Sequence, residues 1–130
     1  MPVNSAPRIL LVDDDPRITA GLSRILTLRG CVVCAVNVPT EAVPVALEFE
    51  PDLLVLDFRM PRLDGAQIAL ASARHPKLSR CEIVFCTASS EWEIAAELPA
   101  MAFQILPKPF DVRALLAIVE GLKQQKLPAA

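Results

Sequence analysis

Carboxylates, a hydroxyl and an ammonium group stand at the ends of apolar runs in this chain. Ile9-Leu10-Leu11-Val12 leads into Asp13-Asp14-Asp15, and Leu53-Leu54-Val55-Leu56 leads into Asp57. Ile83-Val84-Phe85-Cys86 leads into Thr87, and Ile105-Leu106-Pro107 leads into Lys108. Such runs read as strands of a parallel sheet, and α/β folds place their ligands at the carboxyl edge of that sheet. Carboxylates gathered there repel by about 1 kcal/mol per pair at ~4 Å in water, and by more at lower effective dielectric. Lys108 offsets one charge. A hard divalent cation such as Mg²⁺ suits the rest, because carboxylates, a carbonyl and waters are its usual ligands. A site of this kind also attracts a phosphoryl group. Asp57 is the best-placed nucleophile, since carboxylates do form aspartyl-phosphates.

The elements that must position these groups alternate along the chain. Arg8–Val12 reads as a first strand, buried on both faces because its apolar run does not alternate. Asp15-Pro16 makes a helix start, with Asp as cap and Pro at the first helical position. Ile18, Leu22, Ile25 and Leu26 follow at helical spacing, and Gly30 stops the helix. Cys31–Val36 reads as a second strand. A second helix is expected over Asn37–Glu50, with Ala42, Val45, Ala46 and Phe49 inward. Pro44 costs about 3 kcal/mol in a helix interior, so the helix either starts late or kinks. Further strands are expected at Asp52–Asp57, Arg80–Cys86 and Ala102–Leu106. Further helices are expected from Gly65 to about Arg74, over Glu91–Leu98, and after Pro109-Phe110-Asp111. The last helix carries Val112, Leu115, Leu116, Val119 and Leu122 on one face. Alternation of this kind predicts a parallel sheet with helices on both faces.

The 130 residues fit a single domain. The composition is 53% hydrophobic, ample for a core and too apolar for a disordered chain. Mean hydropathy is +0.42. A net charge of −2, no Tyr and one Trp disfavour nucleic-acid binding by this segment. No apolar run approaches the ~20 residues that span a bilayer, and residues 1–7 lack a signal core, so the chain reads as cytoplasmic without membrane attachment. The four cysteines are Cys31, Cys34, Cys81 and Cys86. Cys31 and Cys34 make a C-x-x-C pair, but no second close pair or suitable His completes a zinc pattern. They read as buried thiols, with C-x-x-C redox chemistry as the alternative. His75 reads as a solvated helix-end residue.

The order and spacing of Asp13-Asp14, Asp57 in D-F-R-M-P-x-x-D-G, Thr87-Ala88 and Lys108-Pro109-Phe110 resemble a response-regulator receiver domain of two-component signalling. The resemblance covers about residues 7–123. It implies a (βα)5 flavodoxin-like doubly wound fold, with residues 1–6 as an N-terminal extension and 124–130 as a tail or the start of a linker. It implies that Asp57 takes a phosphoryl group from a phosphohistidine on a sensor histidine kinase or a histidine phosphotransfer protein. Mg²⁺ would then be held by Asp14 directly, Asp13 mainly through water, Asp57, and the backbone carbonyl of Arg59. Lys108 and Thr87 would answer the arriving phosphoryl group, and the Thr87 loop would move inward. That movement would change the face made by the fourth helix, fifth strand and last helix, and so reach a downstream effector. The resemblance further implies a cis bond at Lys108-Pro109. The chain would be a switch that catalyses only its own phosphorylation and dephosphorylation.

Some positions depart from the family pattern. The residue three before Lys108, usually Tyr or Phe, is Ile105, which weakens the aromatic part of the switch. Met101-Ala102 replaces the usual Gly-Ala, and Pro99 shortens the fourth helix. Trp92, Phe103, Ile105 and Ile118 either give the output face an apolar surface or fill the gap beside a short helix. The Trp92/Ile105/Ile118 face is a candidate homodimer surface. Arg59 and Ser89 stand two residues beyond Asp57 and Thr87, where the family tunes phosphoryl lifetime. Asp15 reads as a helix cap rather than a ligand, and Asp64 with Gly65 as a turn former. Two other functions compete. A degenerate receiver would bind its partner without phosphorylation, and a haloacid-dehalogenase-like phosphohydrolase would use the D-x-D pattern within Asp13-Asp14-Asp15.

Overall fold

Strand β1 (Arg8–Val12) lies between two neighbours and is buried along nearly its whole length, as its unbroken apolar run requires. The computed structural model describes residues 6–60, 62–88, 94, 96, 98, 103–108 and 111–126. Strands β2 (Val32–Val36), β3 (Leu53–Leu56), β4 (Glu82–Thr87) and β5 (Gln104–Pro107) complete a parallel sheet in the order β2-β1-β3-β4-β5. The order reverses at β1, so the crevice between the ends of β1 and β3 is the topological switch point.

Helices α1 (Pro16–Leu28) and α4 (Val112–Lys126) cover one face of the sheet, and α2 (Ala42–Phe49) and α3 (Gly65–Ala73) cover the other. Ile9, Leu11, Val55, Val84 and Cys86 pack with Leu22, Leu26, Leu115 and Val119. Leu10, Val12, Leu54, Leu56 and Phe85 pack with Ala42, Ala46, Ile68 and Ala69. Odd and even positions of one strand therefore feed two different cores, the period-2 rule acting on strands buried on both sides. Ile94 and Leu98 join the α2–α3 side, with the Leu98 N–H donating to the Ile94 carbonyl at 3.1 Å. Most of the fourth helix expected over Glu91–Leu98 lies outside the described residues, as do Trp92, Ser89, Pro99, Met101-Ala102 and the Lys108-Pro109 bond.

Several boundaries differ from the sequence reading for local physical reasons. Asn37 does not start a helix: it sits in the loop after β2, a 3₁₀ turn follows at Pro39–Glu41, and α2 begins only at Ala42. Pro44 thus falls in the first turn, where its missing N–H has no intrahelical partner to lose. β4 starts at Glu82 rather than Arg80, because a 3₁₀ turn at Pro76–Leu78 keeps the chain curling until the Cys81 N–H has bonded the Leu78 carbonyl. β5 runs to Pro107, tolerated because β5 is an edge strand that need not donate from that residue. α4 continues to Lys126, beyond the expected 123/124 boundary, since Gln124 and Gln125 are good helix formers and no Pro intervenes before Pro128. Lys123 itself is tied down, donating to the Arg29 carbonyl at 2.5 Å and pairing with Glu120. It places a cation at the C-terminal end of α1, where the helix dipole favours one. Gly30 follows with φ of 87°, which ends α1 as expected.

The C-x-x-C pair is split by the sheet. Cys31 packs into the α1–α4 core, whereas Cys34 packs against the α2–α3 core. Three residues along a strand reverse the facing, so the motif makes neither a metal clip nor a redox pair. All four cysteines are free. Burial pushes the Cys81 and Cys86 thiols up to about 12. Both therefore stay protonated near neutrality and should resist iodoacetamide at about pH 8 in the folded protein, while reacting fully in guanidinium. Equal labelling rates in the two states would contradict that burial.

Candidate functional site

Asp13, Asp14, Asp57, Thr87 and Lys108 converge at the carboxyl edge of the sheet. Asp57 directly follows β3, its N–H donating to the Val12 carbonyl at 3.0 Å, so β1 and β3 hold their acidic ends side by side. Carboxylate oxygens of Asp13, Asp14 and Asp57 lie within 4.8 Å of one another. Asp13 is buried, Asp57 half-buried and Asp14 exposed. Lys108 Nζ reaches between two of them, 3.2 Å from Asp13 Oδ2 and 3.5 Å from Asp57 Oδ2. The Lys108 N–H donates to the Thr87 carbonyl at 2.9 Å, which pins the Lys108 backbone beside the end of β4. Thr87 is itself buried.

The electrostatics follow from this crowding. Burial raises the Asp57 pKa, and the Asp13 charge raises it further; Lys108 and the Arg59 backbone N–H oppose them without cancelling the rise. Burial alone would lower the Lys108 pKa, but the charges of Asp57 and Asp13 together outweigh it and the net shift is upward. One ammonium thus faces more negative charge than it can neutralise. The donor set is entirely hard carboxylate oxygen, which fits Mg²⁺ and not a thiolate-seeking metal.

Asp15 is sorted out of the cluster. Its side chain caps α1, accepting from the Arg17 N–H at 3.0 Å and pairing with the Arg17 guanidinium at 3.1 Å. The Asp15 carboxylate is thus taken up by Arg17, and the clustered carboxylates are those of Asp13, Asp14 and Asp57. Asp64 likewise caps α3 in a reciprocal capping box with Gln67. The Arg59 side chain is exposed, its guanidinium 4.7 Å from the centre of the Phe58 ring.

Two further supports were not foreseen. Asn37 Nδ2 donates to the Asp13 carbonyl at 2.8 Å and to Thr19 Oγ1 at 2.9 Å, tying the acidic loop to both β2 and α1. Asn37 is a polar residue directly after an apolar strand, the same signal that marks the other site residues, and it could have been found that way. Gly65 is the second. A Cβ there would meet the Asp57 carbonyl at 2.5 Å, so the start of α3 must lack a side chain to lie against the Asp57 turn. Asn37→Ala should weaken the apparent Mg²⁺ affinity by roughly threefold to tenfold, the worth of about one lost hydrogen bond. The check is a Mg²⁺ titration of phosphoryl uptake. A variant that loses stability but keeps the wild-type Mg²⁺ dependence would limit Asn37 to a structural role.

Behind the site runs a chain of rings. Phe58 and Phe85 meet edge-to-face at 5.5 Å, and Phe85 meets Phe103 at 5.6 Å. Phe103 thus points inward as core filling. Ile105 is partly buried on the same side, while Ile118 packs toward the opposite core.

Comparison with known proteins agrees with this geometry. The model of the response regulator receiver domain family matches residues 9–120. The response regulator MprA of Mycobacterium leprae is 37% identical over 121 residues, covering 93% of this chain and 53% of that protein. The transcriptional regulatory protein PrrA of the same organism is 38% identical over 123 residues, covering 94% of this chain and 52% of that one. Among solved structures, the chemotaxis protein CheY4 of Vibrio cholerae superposes with a TM-score of 0.82 at 25% identity, covering 90% of this chain and 98% of that one. A CheY-like receiver domain protein of Methanospirillum hungatei gives 0.83 at 23% identity, covering 94% and 97%. The chain belongs to the response regulator receiver domain family and has its flavodoxin-like α/β fold. It is a signalling module of two-component systems rather than a conventional enzyme. It spans about half the length of the curated relatives it matches. Receiver domains work with histidine kinases and downstream effectors, and typically bind Mg²⁺ through an acidic pocket of the kind formed here by Asp13, Asp14 and Asp57. Among the described residues no helix is long and apolar enough to cross a membrane.

Proposed function

We propose that Asp57 accepts a phosphoryl group from a phosphohistidine, on a sensor histidine kinase or a histidine phosphotransfer protein, in a Mg²⁺-dependent step in the cytoplasm. The observation that carries this reading is the placing of Asp57 Oδ2 beside both the acidic cluster and Lys108 Nζ. Asp13, Asp14, Asp57 and the Arg59 carbonyl would hold the ion, which when bound supplies positive charge against the phosphoryl oxygens. The Asp57 carboxylate attacks phosphorus as the P–N bond breaks, and the departing imidazole keeps the electron pair and takes up a proton. Lys108 then turns from a carboxylate to the new phosphoryl oxygens, with stabilisation coming from positioned charge. The Thr87 hydroxyl donates to the same group and draws its loop inward, the phosphate having added about −1.5 to −2 charge and new acceptor oxygens. Residues 7–123 would form the acting unit.

The test is incubation with Mg²⁺ and acetyl phosphate. Wild-type protein should gain one phosphoryl mass, and Asp57→Asn should gain none; equal gain, or none in either, rejects the reading. Partner affinity that is unchanged by phosphorylation would instead favour the phosphorylation-independent binding module, to which Ile105 at the usual aromatic position points. Sedimentation with and without beryllofluoride decides the homodimer: association only with the mimic supports the Trp92/Ile105/Ile118 face, and a monomer in both states removes it.

A further inference from the structure

Asp14 is the exposed member of the acidic cluster, and the two peptide groups that flank it are both held. On its carboxyl side the Asp15 N–H donates to Asp13 Oδ1 at 2.9 Å. On its amino side the Asp13 carbonyl accepts from Asn37 Nδ2 at 2.8 Å. That carbonyl shares one rigid plane with the Asp14 N–H, so the Asn37 bond fixes the plane from which Asp14 projects. Asn37 can do this in one orientation only. Its NH₂ end donates, whereas its oxygen end accepts and would repel the Asp13 carbonyl. Thr19 bears on that choice. Its hydroxyl donates to the Pro16 carbonyl at 3.2 Å, which leaves lone pairs on Oγ1, and the second Asn37 Nδ2 hydrogen goes there at 2.9 Å. The NH₂ group is thereby forked between Asp13 and Thr19. Thr19 is buried and lines one small cavity together with Asp13 and Asp57.

We propose that Thr19 is a positioning residue for the divalent cation, its hydroxyl holding the Asn37 amide in the orientation that presents Asp14. The inference rests on the reading of the acidic cluster as a Mg²⁺ site. Both Asp13 carboxylate oxygens already accept from the protein, Oδ1 from the Asp15 N–H and Oδ2 from Lys108 Nζ at 3.2 Å. Asp14 is therefore the carboxylate whose placing depends on the loop backbone, and Thr19 reaches that backbone through Asn37. Packing alone would be served by valine, which has the same branched shape without the hydroxyl. A helical threonine ordinarily spends its hydroxyl on the carbonyl one turn back; this one does so and also accepts from a residue beyond its own helix.

The test is a titration of Mg²⁺ alone, with no phosphodonor, into the ¹⁵N-labelled chain, followed at the amides of Asp13, Asp14, Asp15 and Asp57. Thr19→Val should weaken Mg²⁺ binding roughly threefold to tenfold, the worth of about one lost hydrogen bond. Thr19→Ala, which demands no match of shape, should repeat that loss. Thr19→Ser keeps the hydroxyl and should bind as wild type does. The double variant Thr19→Val with Asn37→Ala should bind as weakly as Asn37→Ala alone, since both changes break one path. Melting temperatures are measured alongside, because a purely structural role would lower them and leave the Mg²⁺ constant where it was. Thr19→Val and Thr19→Ala proteins that bind Mg²⁺ as tightly as wild type overturn the inference. So does a Thr19→Ser protein as weak as Thr19→Val, or a double variant whose loss is the product of the two single losses. If the wild-type chain itself shows no saturable shift at these amides, the Mg²⁺ reading fails and this inference falls with it.

Discussion

Lys108→Ala should slow phosphoryl uptake from acetyl phosphate by about 10²–10³-fold at saturating Mg²⁺, the usual cost of removing one preorganised charge-stabilising donor. The expectation rests on position. Lys108 Nζ is the cation that reaches both Asp13 and Asp57, and those two residues also account for the upward shift in its pKa. Without it, the acidic cluster meets the incoming phosphoryl group with no ammonium to offset their mutual repulsion. Lys108→Arg is the informative companion. It keeps the charge but replaces a compact ammonium with a planar fork, so its rate should fall between wild type and Lys108→Ala. Mass spectrometry over time gives the rates. A Lys108→Ala protein within about threefold of wild type would remove Lys108 from the reaction.

Phe85→Ala should destabilise the fold by about 3–5 kcal/mol, the range for emptying a buried aromatic site. For a chain of this size that lowers the melting temperature by roughly 10–20 °C. Phe85 is fully buried and is the middle ring of three, in edge-to-face contact with both Phe58 and Phe103. Its loss opens a cavity and removes two aromatic pairs together, beneath the segments that carry Asp57 and Thr87. Phe85→Leu refills part of the space and should cost clearly less. Thermal denaturation at fixed Mg²⁺ measures both. A loss below about 1 kcal/mol for Phe85→Ala would mean that the neighbouring strands collapse onto the gap, and that the ring stack is not a fixed part of the core.

Much of the molecule could be read from order along the chain. The apolar runs before Asp13, Asp57 and Thr87 marked strands because they are continuous, and continuity means burial on both faces. Asp15-Pro16 marks a helix start in the sequence, since capping is a local matter of one side chain and the next few N–H groups, whereas Asp64, expected only to shape the turn, proves to be the cap of α3. Pro44 left a late start or a kink open for α2, and the late start is the one that forms. Boundaries at β4 and β5 were less legible. They depend on where partners across the sheet begin, and Arg80 and Cys81 look as strand-like as Glu82 until the 3₁₀ turn ahead of them is seen.

By itself the sequence determined which residue types terminate each strand, hence that carboxylates, Thr87 and Lys108 share an edge. Only the tertiary structure decided which of them touch. Strand order β2-β1-β3-β4-β5 and its register set Asp57 against Val12 and bring Lys108, 95 residues away, to Asp13. The same geometry turned Asp15 away to Arg17, recruited Asn37 to the Asp13 loop, and sent Cys31 and Cys34 into separate cores. The reason is physical. A local pattern records which side of a strand is buried, whereas contact between distant side chains depends on pairing, twist and packing that no single segment contains.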